Sequence, residues 1–527
     1  MTGAGRPIAL ERSRRLVLGE LLSRSARAYP DKTALIFEGE ARTFRELDER
    51  VNRLANALAA RDIGRGDKVA VLMYNRLEVV EAFLACHKLG ACPVPVNFRL
   101  ARQEVEFILG NADAVGIIAD AELGQLAAAA RERVPAVRFH LGVGEAAGGE
   151  PYEAALAAAS AEEPLVAVAE DDLAFVMYTS GTTGLPKGAM LTHLNLVMNT
   201  LNWVHELEAR HEDVWLSGLP LFHIGGVNGI LPFIYLGGTS VITPSTSFDP
   251  ARSLELLGLH RATMCYFVPT QWQQICELPA VGEIDTSRLR RALWGASTAP
   301  RSTLERLVRT FPNVGIVNAF GQTEMSSNTT FLKPAAAISK MGSVGTPVIN
   351  VEARVVDDDG NDVVPGEVGE IVYRGPTVMA GYYGNPEATA EAFRGGWFHS
   401  GDLVRADEEG FLYVVDRKKD MIISGGENIY PAEVERVLLE HPGVREAAVI
   451  GVPHEKWVET PLAVIVPAAE APPGEAELID FCKDRLASYK KPTHIRFVES
   501  LPRNAAGKIL KRELRETFRD DFEGAGS

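Results

Sequence analysis

YTSGTTGLPKG, residues 178–188, is the stretch on which the reading of this chain turns. LAFVMYT before it is apolar and β-compatible and predicts a buried strand. AMLTHLNLVMNTL after it, residues 189–201, has the spacing of a helix. A strand, a loop rich in glycine and hydroxyls, and a helix together make a phosphate cradle. Glycines let backbone N–H groups approach an anion, hydroxyls add donors, and one lysine adds charge. Thr179, Ser180, Gly181, Thr182, Thr183 and Gly184 are the candidate phosphate contacts, with Lys187 as the cation. The common P-loop needs Ser or Thr after its lysine to hold a metal, and here Gly188 follows Lys187.

The remaining sequence bounds the class. The 527 residues allow several domains and an ample core. Lys+Arg 54 against Asp+Glu 70 gives a net charge of −16 with no basic stripe, which argues against nucleic acid as a partner. Cys86, Cys92, Cys265, Cys276 and Cys482 form no CxxC pair, as expected of a reduced, cytoplasmic protein without structural zinc. Val214–Phe248 carries no Asp, Glu, Lys or Arg, but Pro220, Pro232, Pro244 and two glycine pairs, Gly225-Gly226 and Gly237-Gly238, break it too often for a spanning helix. Buried core beside a ligand cleft is the better assignment, and no transmembrane segment is expected.

Residues 31–120 alternate short apolar runs with helix-like segments, a βα rhythm. Residues 121–170, rich in Ala and Glu, predict peripheral helices and a loop. The rhythm resumes through VWLSGLPL, TSVITP, ATMCYFVP and VGIVNAF. After about residue 345 short strands with turn signals take over, and VDDDGN predicts a hairpin.

YTSGTTGLPKG resembles the phosphate loop of the adenylate-forming superfamily, which includes acyl-CoA synthetases and peptide-synthetase adenylation domains. The resemblance covers nearly the whole chain and its motifs come in the family's order. In NAFGQTEMS, residues 318–326, Asn318 can read the adenine amino edge, Ala319 continues that strand, and Phe320 offers a ring face. Thr323 can donate to the α-phosphate, and Glu324 is a hard oxygen ligand suited to Mg²⁺. Many relatives have Tyr where this chain has Phe320. Gly295, Ala296 and Ser297 match the family's adenine-facing strand end; Trp294 before them is either ordinary core or a wall of the acyl pocket. Asp402 is a natural partner for the two ribose hydroxyls, and Arg417 can donate to the same sugar.

Other roles are implied by the resemblance alone. His223 in LPLFHIGG would lie beside the acyl carboxylate, with Val227 in the acyl pocket. GGVNGILPFIY has no acid to pair with an α-ammonium, which disfavours amino acids as substrates. Lys419 would be the hinge between two working orientations of the C-terminal domain. Gly425 and Gly426 would line a pantetheine tunnel or are simply loop glycines. Lys508, in LPRNAAGKILKREL, would reach the α-phosphate and carboxylate during adenylation.

The resemblance therefore implies an α/β fold: a large multi-sheet N-terminal domain binding ATP and acid, residues 1–417, and a small mobile α+β lid, residues 418–527. The expected reaction is that of an AMP-forming acid:CoA ligase, with ATP, Mg²⁺ and CoA. A carboxylic acid displaces pyrophosphate to give acyl-AMP, and CoA then takes the acyl group and releases AMP. Motif order looks most like medium- or long-chain acyl-CoA synthetases, and the uncharged stretch suggests a hydrophobic monocarboxylate, whether fatty, aryl or polycyclic. Because no site for the CoA 3′-phosphate is legible, delivery to an acyl carrier protein or partner ligase stays open. A non-catalytic acyl- or nucleotide-binding module has no use for Lys187, Glu324, Asp402, Arg417 and Lys508 together. The oligomeric state is open, a homodimer included.

Overall fold

The computed structural model describes residues 13–145, 148–179, 186–296, 299–424, 427–454, 457–468, 473–483, 485–503, 509–518 and 521. The chain divides into two compact units, one of residues 1–352 with 374–398, the other of 353–373 with 399–527. Strand Leu412–Arg417 pairs antiparallel with residues 402–406 within the second unit.

Among the described residues the first unit is built on three sheets. The largest runs in the order Thr346–Pro347, Ser327–Leu332, Gly315–Gln322, Arg291–Gly295, Met264–Tyr266, Val214–Ser217, Thr239–Ile242, Thr33–Phe37, Glu40–Thr43. Its strands are parallel from Gly315–Gln322 to Thr33–Phe37 and antiparallel at both edges. The central strands are short and apolar on both faces, as expected where helices cover both sides. A second, parallel sheet is centred on Lys68–Leu72 and Ala114–Asp120. It also takes Phe139–Val143 and Glu150–Pro151, so the expected peripheral helices and loop of 121–170 include two sheet strands. The run FHLGV is fully buried but short, and its pattern is masked by the alanine-rich helices around it.

Val214–Phe248 folds as strand, helix and strand. Helix Ile224–Leu236 is capped by His223 and ends at Gly237, whose φ of +75° favours glycine. Among the described residues no helix is long and apolar enough to cross a membrane. Phe233 of this helix stacks on Trp215, and Trp203 of helix His193–Leu207 meets the same indole edge to face. Both helices therefore cover the sheet face that carries Trp215. On the other face, Leu216, Cys265, Ala292 and Ile316 pack with Trp272 and Leu304 of helices Pro269–Glu277 and Arg301–Thr310.

The second unit has its own cores. Val356 and Asp362 bridge across the turn at VDDDGN, with Gly360 at φ +84°, so the predicted hairpin forms. Strands Glu427–Ile429, Ile422–Ser424, Val458–Pro467, Val444–His454 and His494–Phe497 form a five-stranded sheet. Helices Pro431–Leu439 and Glu475–Lys483 pack against one apolar cluster, and helix Lys511–Phe518 against another.

Candidate active site

Strand Leu173–Thr179 pairs antiparallel with strand Lys187–Thr192, and Thr179 stands opposite Lys187. The element after the loop is thus a strand, and the helix begins only at His193, correcting the strand–loop–helix expectation. Thr192 caps that helix in a capping box with Asn195, which fixes where the strand stops. Lys187 consequently projects from sheet backbone rather than from a helix N-terminus. Gly188 has no room for a side chain: a Cβ there would lie 2.8 Å from Val176. Ser180, Gly181, Thr182, Thr183 and Gly184 lie outside the described residues.

The second motif is held at the end of strand Gly315–Gln322, followed by the one-turn helix Thr323–Met325. The chain reverses tightly there. Ser326 has φ +62°, and a Cβ on Gly321 would lie 1.8 Å from the Ser327 carbonyl. Thr323 is buried and Glu324 half-buried. Tyr382 Oη donates to Glu324 Oε1 at 3.0 Å, and Met379 N donates to the Glu324 carbonyl at 2.8 Å. Lys187 Nζ sits 5.2 Å from the centre of the Tyr382 ring. The two strand ends of the expected adenine site are adjacent, with Trp294 opposite Asn318 and Gly295 opposite Ala319. A Cβ on Gly295 would lie 2.1 Å from the Ala319 carbonyl, and Ala296 takes φ +66° as the strand ends. Asn318 Nδ2 donates to the Ser343 carbonyl at 2.9 Å, and Phe320 beyond it is half-buried. Ser297 lies outside the described residues.

His223 and Val227 sit at the start of helix Ile224–Leu236, the latter buried. Gly225 N donates to His223 Nδ1 at 3.2 Å, which leaves Nε2 as the protonated nitrogen of the neutral ring. Burial lowers the His223 pKa, favouring that neutral form. Trp294 is not brought to this helix. The register places Ser217, Tyr266 and Leu293 on the face of Trp215, whereas Leu216, Cys265, Ala292 and Trp294 lie on the opposite face. There Trp294 lines a small cavity with Leu304, Ile316, Asn318 and Met341.

In the second unit, Arg417 Nε lies 2.5 Å from Asp402 Oδ1, and Asp402 is buried. The residues around Lys419 are anchored to the unit's helices. Asp416 accepts from Ala432 N at 2.8 Å, and Arg515 donates to Asp420 at 2.9 Å. Lys511, 2.7 Å from Glu435, is held charged by Glu435, Asp416 and Asp420, although burial alone would lower its pKa. Burial lowers the pKa of Lys419 itself. Gly425, Gly426 and Lys508 lie outside the described residues.

No cluster of three or more His, Cys, Asp or Glu suited to a metal occurs among the described residues. Mg²⁺ does not require one, because it is commonly held by one or two carboxylates together with substrate phosphates and water. Glu324 fits that need, since Oε2 has no protein partner among the described residues. Tyr382 is the site residue that sequence motifs did not flag. Its only local signal is an aromatic pair after a glycine in GYYGNPEAT.

Residues 22–383 match the family model described as AMP-binding enzyme, and residues 433–508 match the AMP-binding enzyme C-terminal domain. The chain belongs to the AMP-binding enzyme family, the adenylate-forming enzymes. Within it the chain is an acid:CoA ligase, an acyl-CoA synthetase, as its relatives are. A feruloyl-CoA synthase of Amycolatopsis is 42% identical over 506 residues, 95% of this chain and 99% of the relative. A long-chain-fatty-acid–CoA ligase of Mycobacterium tuberculosis is 37% identical over 90% of this chain and 93% of its own length. The solved O-succinylbenzoate coenzyme A synthetase from Bacillus subtilis, in complex with ATP and magnesium ion, superimposes with a TM-score of 0.84 at 34% identity. That match covers 94% of this chain and 99% of the other.

Proposed function

We propose that this acyl-CoA synthetase activates a hydrophobic monocarboxylic acid and passes it to free CoA, with Mg²⁺ accompanying ATP. The observation that carries the choice of acid is the chargeless stretch from Val214 to Phe248, folded around His223 with Val227 buried beside it. An ammonium or second carboxylate would find no counter-ion there, and an unpaired charge in apolar surroundings is costly.

The carboxylate is itself the nucleophile at the α-phosphorus, so no Ser-His-Asp device is needed. The difficulty is the approach of one anion to another. Lys187 and Lys508 offset that repulsion, and the Thr323 hydroxyl donates to the α-phosphate as charge grows there. Mg²⁺ held by Glu324 would neutralise phosphate charge. Neutral His223, with its Nε2–H free to donate, orients the acid carboxylate. Asn318, Ala319, Phe320 and Gly295–Ser297 hold the adenine, and Asp402 with Arg417 the ribose. Lys419 is the hinge about which the lid turns, and Gly425–Gly426 admit the pantetheine arm for the second step.

The test is a pyrophosphate-release screen over fatty acids, aryl acids, dicarboxylic acids and amino acids, followed by thioester assay with CoA. Turnover is expected with apolar monocarboxylates. A preference for an amino acid or a dicarboxylate, or acyl-AMP that CoA does not discharge, would overturn the proposal.

A further inference from the structure

Lys187 and Glu324 carry opposite charges and both contact Tyr382, yet among the described residues they form no ion pair with each other. A lysine and a carboxylate in direct contact would satisfy one another, and phosphate and metal would then have to break that pair. Tyr382 presents its ring to the ammonium and its hydroxyl to the carboxylate. The 5.2 Å separation of Nζ from the ring centre lies within cation–π range.

The backbone around Tyr382 is held from three directions, which fixes where the ring points. Gly381 and Tyr382 pair with Met190 and Ala189 of the strand that begins at Lys187. Ala380 N donates to the Met190 carbonyl at 2.9 Å and Tyr383 N to the Gly188 carbonyl at 2.8 Å. Met379 N ties the same segment to the Glu324 carbonyl. On the third side Tyr382 N donates to Thr389 Oγ1 at 2.9 Å. Gly381, at φ +138°, lets the chain pass Thr389, whose Cγ2 would lie 2.8 Å from a Cβ there.

We propose that Tyr382 is a positioning residue that holds Lys187 and Glu324 apart, so that the ammonium stays available to phosphate and one carboxylate oxygen to the metal. This rests on the roles given to Lys187 and Glu324 above. The hydroxyl acts on a metal-binding carboxylate as an outer-shell partner does, and loss of such a partner costs roughly 10-fold or more in metal affinity. The ring acts on the lysine alone, so the two functions separate by substitution.

The test is calorimetric ATP binding to the full chain, without acid, in EDTA and in saturating Mg²⁺. Tyr382→Phe keeps the ring and is expected to bind ATP in EDTA like wild type while losing roughly 10-fold of the gain that Mg²⁺ brings. Tyr382→Leu is expected to lose that gain and to weaken binding in EDTA by about fivefold as well. Glu324→Gln separates the two levels of the claim. If it keeps the full Mg²⁺ gain, Glu324 is not the metal ligand and the underlying assignment falls. If it loses the gain while Tyr382→Phe keeps it, the positioning role alone falls. Equal losses in both arms for Phe and Leu, in step with a lowered melting temperature, would make Tyr382 merely structural and would overturn the proposal too.

Discussion

Arg417 Nε lies 2.5 Å from Asp402 Oδ1, and the two residues are direct partners across an antiparallel strand pair. The ion pair orients a buried carboxylate, and in the proposed ribose site its second oxygen would accept from a ribose hydroxyl. Asp402→Asn is expected to weaken ATP binding about tenfold, the scale of a lost charge-assisted hydrogen bond. It is also expected to erase discrimination between ATP and 2′-deoxy-ATP. Calorimetry with both nucleotides checks this, and unchanged discrimination would remove Asp402 from the ribose site.

Trp294 and Val227 make contrasting predictions because they belong to opposite faces of the large sheet. Trp294→Ala is expected to cost about 3–5 kcal/mol of stability and to weaken ATP binding through the cavity it shares with Asn318. The ratio of rates across different acids is expected to stay constant. Val227→Phe is expected to shift the acid profile toward smaller acids with little effect on the KM for ATP. An altered acid profile in Trp294→Ala would put the indole back in the acyl pocket.

These two positions also show what a sequence can and cannot reveal. Motif chemistry singled out Lys187, Glu324, Asp402 and Arg417 as candidates, because few residue types can do those tasks; the structure sets the first two against one tyrosine and joins the last two in an ion pair. The hairpin at VDDDGN and the folded nature of Val214–Phe248 followed from local turn and breaker residues. The side of the sheet that Trp294 takes did not, since it depends on register with Met264–Tyr266 and Val214–Ser217. Nor did the strand after the phosphate loop. KGAMLT has no strong period of its own, and it is a strand because it pairs with Leu173–Thr179; Thr192 and Asn195, three apart, were the overlooked cap. Tyr382 was invisible because it meets Glu324 across 58 positions of chain.

His87 and His193 lie edge to face in the core of the first unit, ring centroids 5.3 Å apart, and both are buried. Burial pushes the His87 pKa down to about 4 and lowers that of His193 as well. In the unfolded chain His87 takes its proton near pH 6.5, whereas the native state resists it until about pH 4. Between those values the unfolded state binds more protons, so stability falls as pH drops through that window and the loss levels off below it. From His87 alone about 2 kcal/mol is expected to go between pH 7 and pH 5. Denaturant midpoints at the two pH values, for wild type and His87→Gln, read this directly. A variant losing as much stability as wild type would show that the acid sensitivity lies elsewhere.

The two half-reactions are expected to separate at Lys508 and Lys419. If Lys508 acts only in the adenylating orientation of the lid, Lys508→Ala abolishes acyl-AMP formation yet still converts supplied acyl-AMP and CoA into thioester. Gly426→Leu, which would block the pantetheine arm, does the reverse and accumulates acyl-AMP. Lys419→Pro addresses the proposed hinge. Proline there fixes φ, in the turn that Asp420 N and Met421 N close on the Arg417 carbonyl. Its expected effect is to hold the lid in one orientation, damaging one half-reaction mainly. Single-turnover kinetics of each half-reaction on each variant make the comparison. Equal slowing of both steps in Lys508→Ala and Gly426→Leu would mean that one fixed orientation serves both, and the hinge assignment of Lys419 would fall with it.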